Sequence, residues 1–336
     1  MLFYTDYSLE TLNTFNVKAK ADIYIEITSA ADLEGYQRRK KYFDLPRLIL
    51  GNGSNILFTK NFQGVVLKNS IKGIEVVSED NDKAIVKASS GEDFDTFVQF
   101  CTKKRFCGIE NLSAIPGTVG AAAVQNIGAY GQEASQTIQE VEYYNFENGK
   151  IETIAAKDCK FEYRGSIFKT DLAGKVFITA VTFCLSKNFT PCTNYGRLQE
   201  LLQDTPIITP MIMRRVISTY RASIIPDPKE FGNAGSFFKN PVVTKAAADK
   251  ILAECADLKT YPAEKGKVKL AAGQLIDLCG FKGAVEGKVG TAENQALIII
   301  NQGKATGKEI HAFANKIAKA VKEKFGVKLE PEVTII

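Results

Sequence analysis

Three loops of this 336-residue chain carry the residue types that could hold or transform a ligand. Residues 108–132 read GIENLSAIPGTVGAAAVQNIGAYGQ, with no Lys, Arg, Asp or Glu between 111 and 131 and with Gly or Ala at 114, 117, 120–123, 128, 129 and 131. Such a run offers a ligand its backbone, because peptide N–H groups approach closely only where Cβ atoms are absent or small. A pyrophosphate-bearing dinucleotide suits it; so does a plain helix–helix or helix–sheet contact. The second loop, Gly51-Asn52-Gly53-Ser54-Asn55, follows the apolar Leu48-Ile49-Leu50 and reads as a tight turn at a strand end, with short side-chain donors beside exposed N–H groups. It is neither a GxGxxG fingerprint nor a P-loop, since position 56 is Ile and no GxxxxGK[ST] occurs. In the third, Gly232-Asn233-Ala234-Gly235-Ser236-Phe237-Phe238, a serine hydroxyl stands between a glycine turn and two aromatics. That turn either leads into a strand or presents Ser236 to a cleft.

The elements that must position these loops alternate irregularly. Strands are expected at Ala21–Thr28, Gly64–Leu67, Lys83–Ser89, Val176–Leu185 and Gln295–Asn301. Helices are expected near Ala30–Lys41, Asp93–Phe106, Leu198–Leu202, Met211–Tyr220, Thr244–Asp257, Ala272–Cys279 and Thr306–Phe325, the last with Ile310, Phe313, Ile317 and Val321 at helical spacing and a stop at Gly326. The order lacks a βαβ rhythm, so the fold class is α+β. The chain is long enough for two or three domains.

Composition excludes several classes. Charged residues make up 24% and the net charge is +5, with basic residues scattered, which argues against nucleic acid. The tightest basic cluster, Arg38-Arg39-Lys40-Lys41, reads as helix surface. The opening residues lack a basic and a long apolar region, so no signal peptide is expected, and the longest strongly apolar stretch, Ala296–Ile300, is far too short to span a bilayer. Seven cysteines without a CxxC pair speak against disulfide, zinc and iron–sulfur frameworks, and suit reduced thiols in a cytoplasm. With His311 as the one histidine, Ser–His–Asp hydrolysis and multi-histidine metal catalysis are poor fits, and no metal is expected. Acid–base chemistry falls to Ser, Tyr, Glu, Asp, Lys or Arg.

Taken together, LGNGSNILF, NLSAIPGTVGAAAVQNIGAYGQE, YRGSIFK, GNAGSFFKNP, AENQALIIIN and a late PEV closely resemble the UDP-N-acetylenolpyruvoylglucosamine reductase family over nearly the whole chain. The resemblance implies a two-part FAD-binding region of vanillyl-alcohol oxidase type over 1–190 (subdomains about 1–65 and 66–190). It implies an αβ substrate-binding domain over 191–310, and a helix and strand at 311–336 returning to the FAD-binding region. It implies non-covalent FAD, NADPH as hydride donor, and reduction of the enolpyruvyl ether of a nucleotide sugar in peptidoglycan precursor synthesis. A cytoplasmic monomer with no membrane or nucleic-acid partner is expected.

By the same resemblance, FAD is held by Gly51, Asn52, Gly53, Ser54, Asn55, Ile115, Pro116, Gly117, Thr118, Gly120, Ala121, Gln125, Asn126, Gly128 and Ala129. Ser236 supplies the proton, while Arg164 and Glu332 take the other two catalytic positions. A planar, permanently charged Arg suits a developing enolate. Substrate contacts fall to Tyr195, on the loop of the longer subclass, and to Asn240 and Gln295. One departure stands out. Many relatives carry a Lys before the LPDP-like turn, where this chain has Ile224-Ile225-Pro226-Asp227-Pro228, so Arg221 or Lys229 is expected to compensate. Two rival readings remain: an FAD-linked oxidase, disfavoured because no His for covalent tethering lies in the FAD half, and a non-catalytic nucleotide-sugar module.

Overall fold

The computed structural model describes residues 2–336. The chain divides into two compact units, one built from residues up to Tyr7, Ala21–Asn52 and Phe62–Arg221, the other from Ser8–Lys20, Gly53–Asn61 and Ala222–Ile336. These boundaries differ from the expected 190/191 and 310/311 divisions. Residues 191–221 belong with the first unit, and the passages 8–20 and 53–61 belong with the second.

Two larger sheets lie in the first unit, beside the short pair Gly128–Ala129 and Gln132–Glu133. Strands Leu2–Ser8, Lys20–Ile27, Phe62–Asn69 and Arg47–Leu50 lie side by side in that order, and the last three run parallel. Five antiparallel strands form the other sheet, ordered Lys150–Ala155, Ile138–Asn145, Val176–Ser186, Lys83–Ser89, Ile74–Glu79. Val176–Ser186 sits at its centre, and its first eight residues are buried without alternation, as a strand covered on both faces must be. Against this sheet packs the helix Phe94–Lys103, capped by Asp93, whose carboxylate accepts the Thr96 N–H at 2.9 Å. It buries Phe94, Phe97, Val98 and Cys101. Those side chains join Val86, Val181 and Phe183 in the unit's largest core cluster.

The expected helix 30–41 is instead two, Ala30–Gln37 and Lys40–Phe43. Arg39 leaves the helical region at ψ 70°, and the break sends the chain back so that Phe43 packs on Tyr36, ring centroids 5.5 Å apart.

In the second unit, three strands ordered Val242–Thr244, Lys267–Leu270, Thr260–Pro262 and three ordered Val285–Glu286, Val289–Ala292, Gln295–Asn301 accompany the helices Lys245–Glu254, Ala272–Leu278 and Gly307–Phe325. The last helix opens with a capping box between Thr306 and Glu309 and closes at Gly326, φ 67°. Its buried stripe is Ile310, Phe313, Ala314, Ile317 and Val321. The apolar run after it forms a strand only at Thr334–Ile335, paired in parallel with Ile56–Leu57. Pro331 has no N–H to offer, and on either side of it the tail bonds singly, Lys239 N–H to Glu330 O at 2.9 Å and Glu332 N–H to Phe237 O at 2.8 Å. Among the described residues no helix is long and apolar enough to cross a membrane.

Candidate active site

In the first unit the two backbone-rich loops meet. Asn52 donates through Nδ2 to Gly117 O at 3.0 Å and to Asp93 Oδ2 at 3.3 Å. A Cβ on Gly51 would stand 2.9 Å from Thr118 Oγ1, so the turn lies directly on the start of the short helix Val119–Val124. Thr118 caps that helix, accepting the Ala121 N–H at 3.3 Å. Gly120 is equally constrained. Its N–H donates to Ser90 O at 2.9 Å, and a Cβ there would meet Ser90 Cβ at 2.8 Å. These two glycines are therefore required by the protein's own packing, a demand that the composition of the run did not separate from ligand binding.

Cofactor fit is tested by what is left open. Within a run that is mostly buried, Pro116 and Ala121 face solvent, flanking the capped first turn of the helix. The first-turn N–H groups of Val119, Gly120 and Ala121 are already bonded to Glu92 O, Ser90 O and Thr118 Oγ1, so this helix start offers a pyrophosphate close approach over small uncharged residues that do not repel it. That surface fits FAD. Ile115, Gly117 and Thr118 are buried beside it, and Gln125 is half-buried at the helix end.

Asn126 serves a different purpose. At 1% exposure it spends Nδ2 on Glu133 Oε2 (3.0 Å) and Glu162 O (3.1 Å), and Oδ1 accepts the Ser135 N–H at 3.0 Å. It organises the turn that presents Gly128 and Ala129. Arg164, at φ 58°, donates from Nη2 to Gly128 O at 2.7 Å, and its guanidinium lies 5.1 Å from the Tyr163 ring centroid. One of the three expected catalytic side chains is thus held against the cofactor run.

The same run is gripped from the helix Pro210–Ile224. Arg214 pairs with Asp95, which also accepts the Ala114 N–H at 2.5 Å. Arg221 Nε donates to Ala114 O at 3.2 Å. Burial alone would raise the Asp95 carboxyl, but the Arg214 and Ala114 donors hold it below the usual carboxylate range. Tyr195 meets Tyr130 edge-on with ring centroids 6.4 Å apart, and Tyr130 meets Tyr220 at 6.2 Å. Burial pushes the Tyr130 phenol up, partly offset by the Arg221 charge and hydrogen bond.

In the second unit, Ser236 follows a turn organised by Asn233, which sequence reasoning passed over. Asn233 is 1% exposed; Nδ2 donates to Pro226 O and Phe231 O, both at 2.9 Å, and Oδ1 accepts the Gly235 N–H at 3.0 Å. The signal was available, since a buried Asn before Ala-Gly is a turn-maker. Ser236 emerges exposed, with Phe237 and Phe238 buried behind it and its backbone bridged to Ile298. Glu332 comes to the same strip. Its N–H bonds Phe237 O, and its carbonyl accepts Asn55 Nδ2 at 3.2 Å, which links the tail to the Gly53-Ser54-Asn55 part of the turn. Gly53 O accepts the Thr14 N–H at 3.0 Å. Asn240 and Gln295 converge at one helix start. Asn240 Oδ1 accepts the Ala272 N–H at 2.9 Å, and a Cβ on Gly273 would meet Gln295 Oε1 at 2.6 Å. A second omission lies beside them. Lys269 is the direct cross-strand partner of both Val242 and Tyr261, which sets a cation and a phenol next to Asn240-Pro241.

The family model for the C-terminal domain of UDP-N-acetylenolpyruvoylglucosamine reductase matches residues 227–336, and a model for an FAD binding domain matches residues 21–155. The chain is 45% identical to the UDP-N-acetylenolpyruvoylglucosamine reductase of Chromobacterium violaceum over 339 residues, covering 99% of each chain. It is 40% identical to that of Bacteroides fragilis over 330 residues, 98% of this chain and 99% of the other. A crystal structure of the reductase from Thermus caldophilus shares the fold, with a TM-score of 0.67, 19% identity and coverage of 99% and 98%. With full-length identity at this level, the chain belongs to the UDP-N-acetylenolpyruvoylglucosamine reductase family.

Proposed function

We propose that this protein reduces the enolpyruvyl ether of UDP-N-acetylglucosamine enolpyruvate to UDP-N-acetylmuramate, the reductive step of peptidoglycan precursor synthesis, with FAD as cofactor and NADPH as donor. When bound, FAD would supply hydride-transfer chemistry between NADPH and the enolpyruvyl double bond. The chain's own residues hold the partners and manage the remaining charge and proton.

Hydride addition leaves negative charge on the neighbouring carbon and its carboxylate. Arg164 meets that charge with a fixed planar cation whose orientation is set by the Gly128 carbonyl. Ser236 donates its hydroxyl proton to the carbon, which completes the addition of one hydride and one proton across the double bond. Glu332, whose N–H bonds the carbonyl of the residue after Ser236, serves that hydroxyl electrostatically. The backbone around Pro116–Ala121 and the Gly51–Asn55 turn hold FAD. Tyr195 grips the sugar nucleotide, Asn240 and Gln295 contact it, and Arg221 or Lys229 answers its diphosphate in place of the Lys that relatives carry before the Pro-Asp-Pro turn. The enzyme acts as a cytoplasmic monomer.

The observation that carries this reading is the pairing of an exposed Ser236 with Glu332 on one backbone strip, in a chain related to the reductases over its full length. The test is anaerobic. NADPH should bleach the yellow protein, and the enolpyruvyl nucleotide sugar alone should restore its colour with stoichiometric UDP-N-acetylmuramate. Recolouring by oxygen but not by the enolpyruvyl sugar would point to an oxidase instead.

A further inference from the structure

Asn111 joins two separate stretches of backbone with one amide group. It is fully buried within the turn Glu110–Leu112, and its Nδ2 donates to Tyr130 O at 2.8 Å and to Cys192 O at 2.8 Å. Both acceptors are carbonyls, so only a side chain with two hydrogens on one atom satisfies both. A carboxylate there would face two carbonyl oxygens with lone pairs, and a hydroxyl has a single proton to give. Cys192 stands three residues before Tyr195, in the irregular stretch between the strand Val176–Ser186 and the helix Leu198–Leu202.

Asn111 is itself fixed. Its N–H donates to Gln132 Oε1 at 2.9 Å, Gln132 Nε2 donates to Glu110 Oε1 at 2.6 Å, and Glu110 Oε2 accepts the Gly108 N–H at 2.6 Å. Glu110 and Gln132 are 1% and 8% exposed. A buried chain of bonds like this one admits few alternative arrangements. Across the seam, Cys192 Sγ lies 3.0 Å from where a Cβ on Gly131 would stand, a closeness that only glycine at φ 84° allows. Burial, with the Glu110 charge adding to it, raises the Cys192 thiol above its usual range, as expected of a sheltered group.

We propose that Asn111 is a positioning residue that latches the Cys192 end of the Cys192–Tyr195 segment onto the cofactor run at Tyr130-Gly131, so that the loop bearing Tyr195 has a fixed stem when the sugar nucleotide arrives. The proposal rests on the reading of Tyr195 as a substrate contact. Without the latch the segment spends part of its time undocked, and apparent substrate affinity falls by the docked fraction.

The test uses FAD-loaded Asn111→Asp and Asn111→Ser, the second keeping the experiment alive should the buried charge of the first prevent folding. Alkylation of Cys192 by iodoacetamide, followed by peptide mapping with buried Cys101 as internal control, reads docking without reference to catalysis. Cys192 should react about tenfold faster, and KM for the enolpyruvyl sugar should rise about tenfold while kcat changes by less than about twofold, as expected when a binding-competent population is lost. Wild-type alkylation of Cys192 in a folded, flavin-loaded variant overturns the latch. Faster alkylation with an unchanged KM overturns its role in binding, and Tyr195→Phe then separates the causes. If that variant raises KM, the latch is at fault; if KM is unchanged there too, the Tyr195 reading has failed.

Discussion

Gly120→Ala separates a packing requirement from a cofactor requirement at the centre of the FAD-binding run. In an unconstrained helix the change would stabilise the protein by about 1 kcal/mol, because Ala outranks Gly in helix propensity. Here the added methyl meets Ser90 Cβ at 2.8 Å and Ser90 O at 3.2 Å. Ser90 has little room to retreat. Its N–H donates to Thr179 O at 2.9 Å, its carbonyl accepts the Gly120 N–H at 2.9 Å, and its hydroxyl accepts Asn69 Nδ2 at 2.7 Å. Overpacking of this kind costs about 1–3 kcal/mol, enough to cancel the propensity gain and leave a net loss of up to about 2 kcal/mol. Urea denaturation with and without added FAD is the assay. Both series should show the same loss relative to wild type, since the clash is with the protein. A variant as stable as wild type without FAD and weakened only in its presence would refute the reasoning and return Gly120 to the ligand.

Other consequences follow from the same geometry. Tyr195→Phe should weaken sugar-nucleotide binding by about 1.5–3 kcal/mol, the worth of a hydrogen bond to a charged group, while flavin reduction by NADPH is little altered; titration calorimetry giving an unchanged Kd would count against it. Asp95 is held below its ordinary carboxyl range, so its contribution to stability is complete above its unfolded pKa of about 4 and is lost as pH falls through the lower folded value. Asp95→Asn should therefore lose about 2–3 kcal/mol near pH 7, the cost of leaving half-buried Arg214 unpaired, and the difference from wild type should shrink on acidification; a pH-independent difference would exclude the ionic account. Glu332→Gln keeps shape and removes charge, and should lower turnover by about tenfold or more with FAD content intact. Wild-type turnover there would return Glu332 to a structural role.

Much of this was legible in sequence because the informative segments are governed by local rules. The helix Gly307–Phe325 announces itself through its capping box, its Ile310-Phe313-Ile317-Val321 stripe and Gly326, none of which needs tertiary context. Val176–Ser186 is apolar on both faces, and it became the central strand. By contrast, Ile138–Asn145 and Lys150–Ala155 form a hairpin whose outer positions carry Glu140, Glu142 and Glu152, so their pattern reads as loop until the register pairs Glu142 with Thr153 and Ala180. The recruitment of residues 8–20 and 53–61 into the second unit was hidden for the same reason. Bonds such as Asn301 Nδ2 to Phe15 O span most of the chain, and no window of sequence contains both ends. At the site, the asparagines that hold the motif residues, Asn111, Asn126 and Asn233, were missed or given a ligand role. An Asn reveals whether it serves the backbone or a ligand only once its amide hydrogens have been assigned partners.

If Ser236 delivers the proton after hydride transfer, stopped-flow absorbance of Ser236→Ala, which times the two half-reactions separately, should show only one of them slowed. Flavin bleaching by NADPH should proceed at close to the wild-type rate, because that step needs no proton from the protein. Formation of UDP-N-acetylmuramate in the second half-reaction should fall by a factor of about 10² to 10⁴, the usual cost of removing a general acid. Equal slowing of both half-reactions, or a second half-reaction at the wild-type rate, would contradict the account.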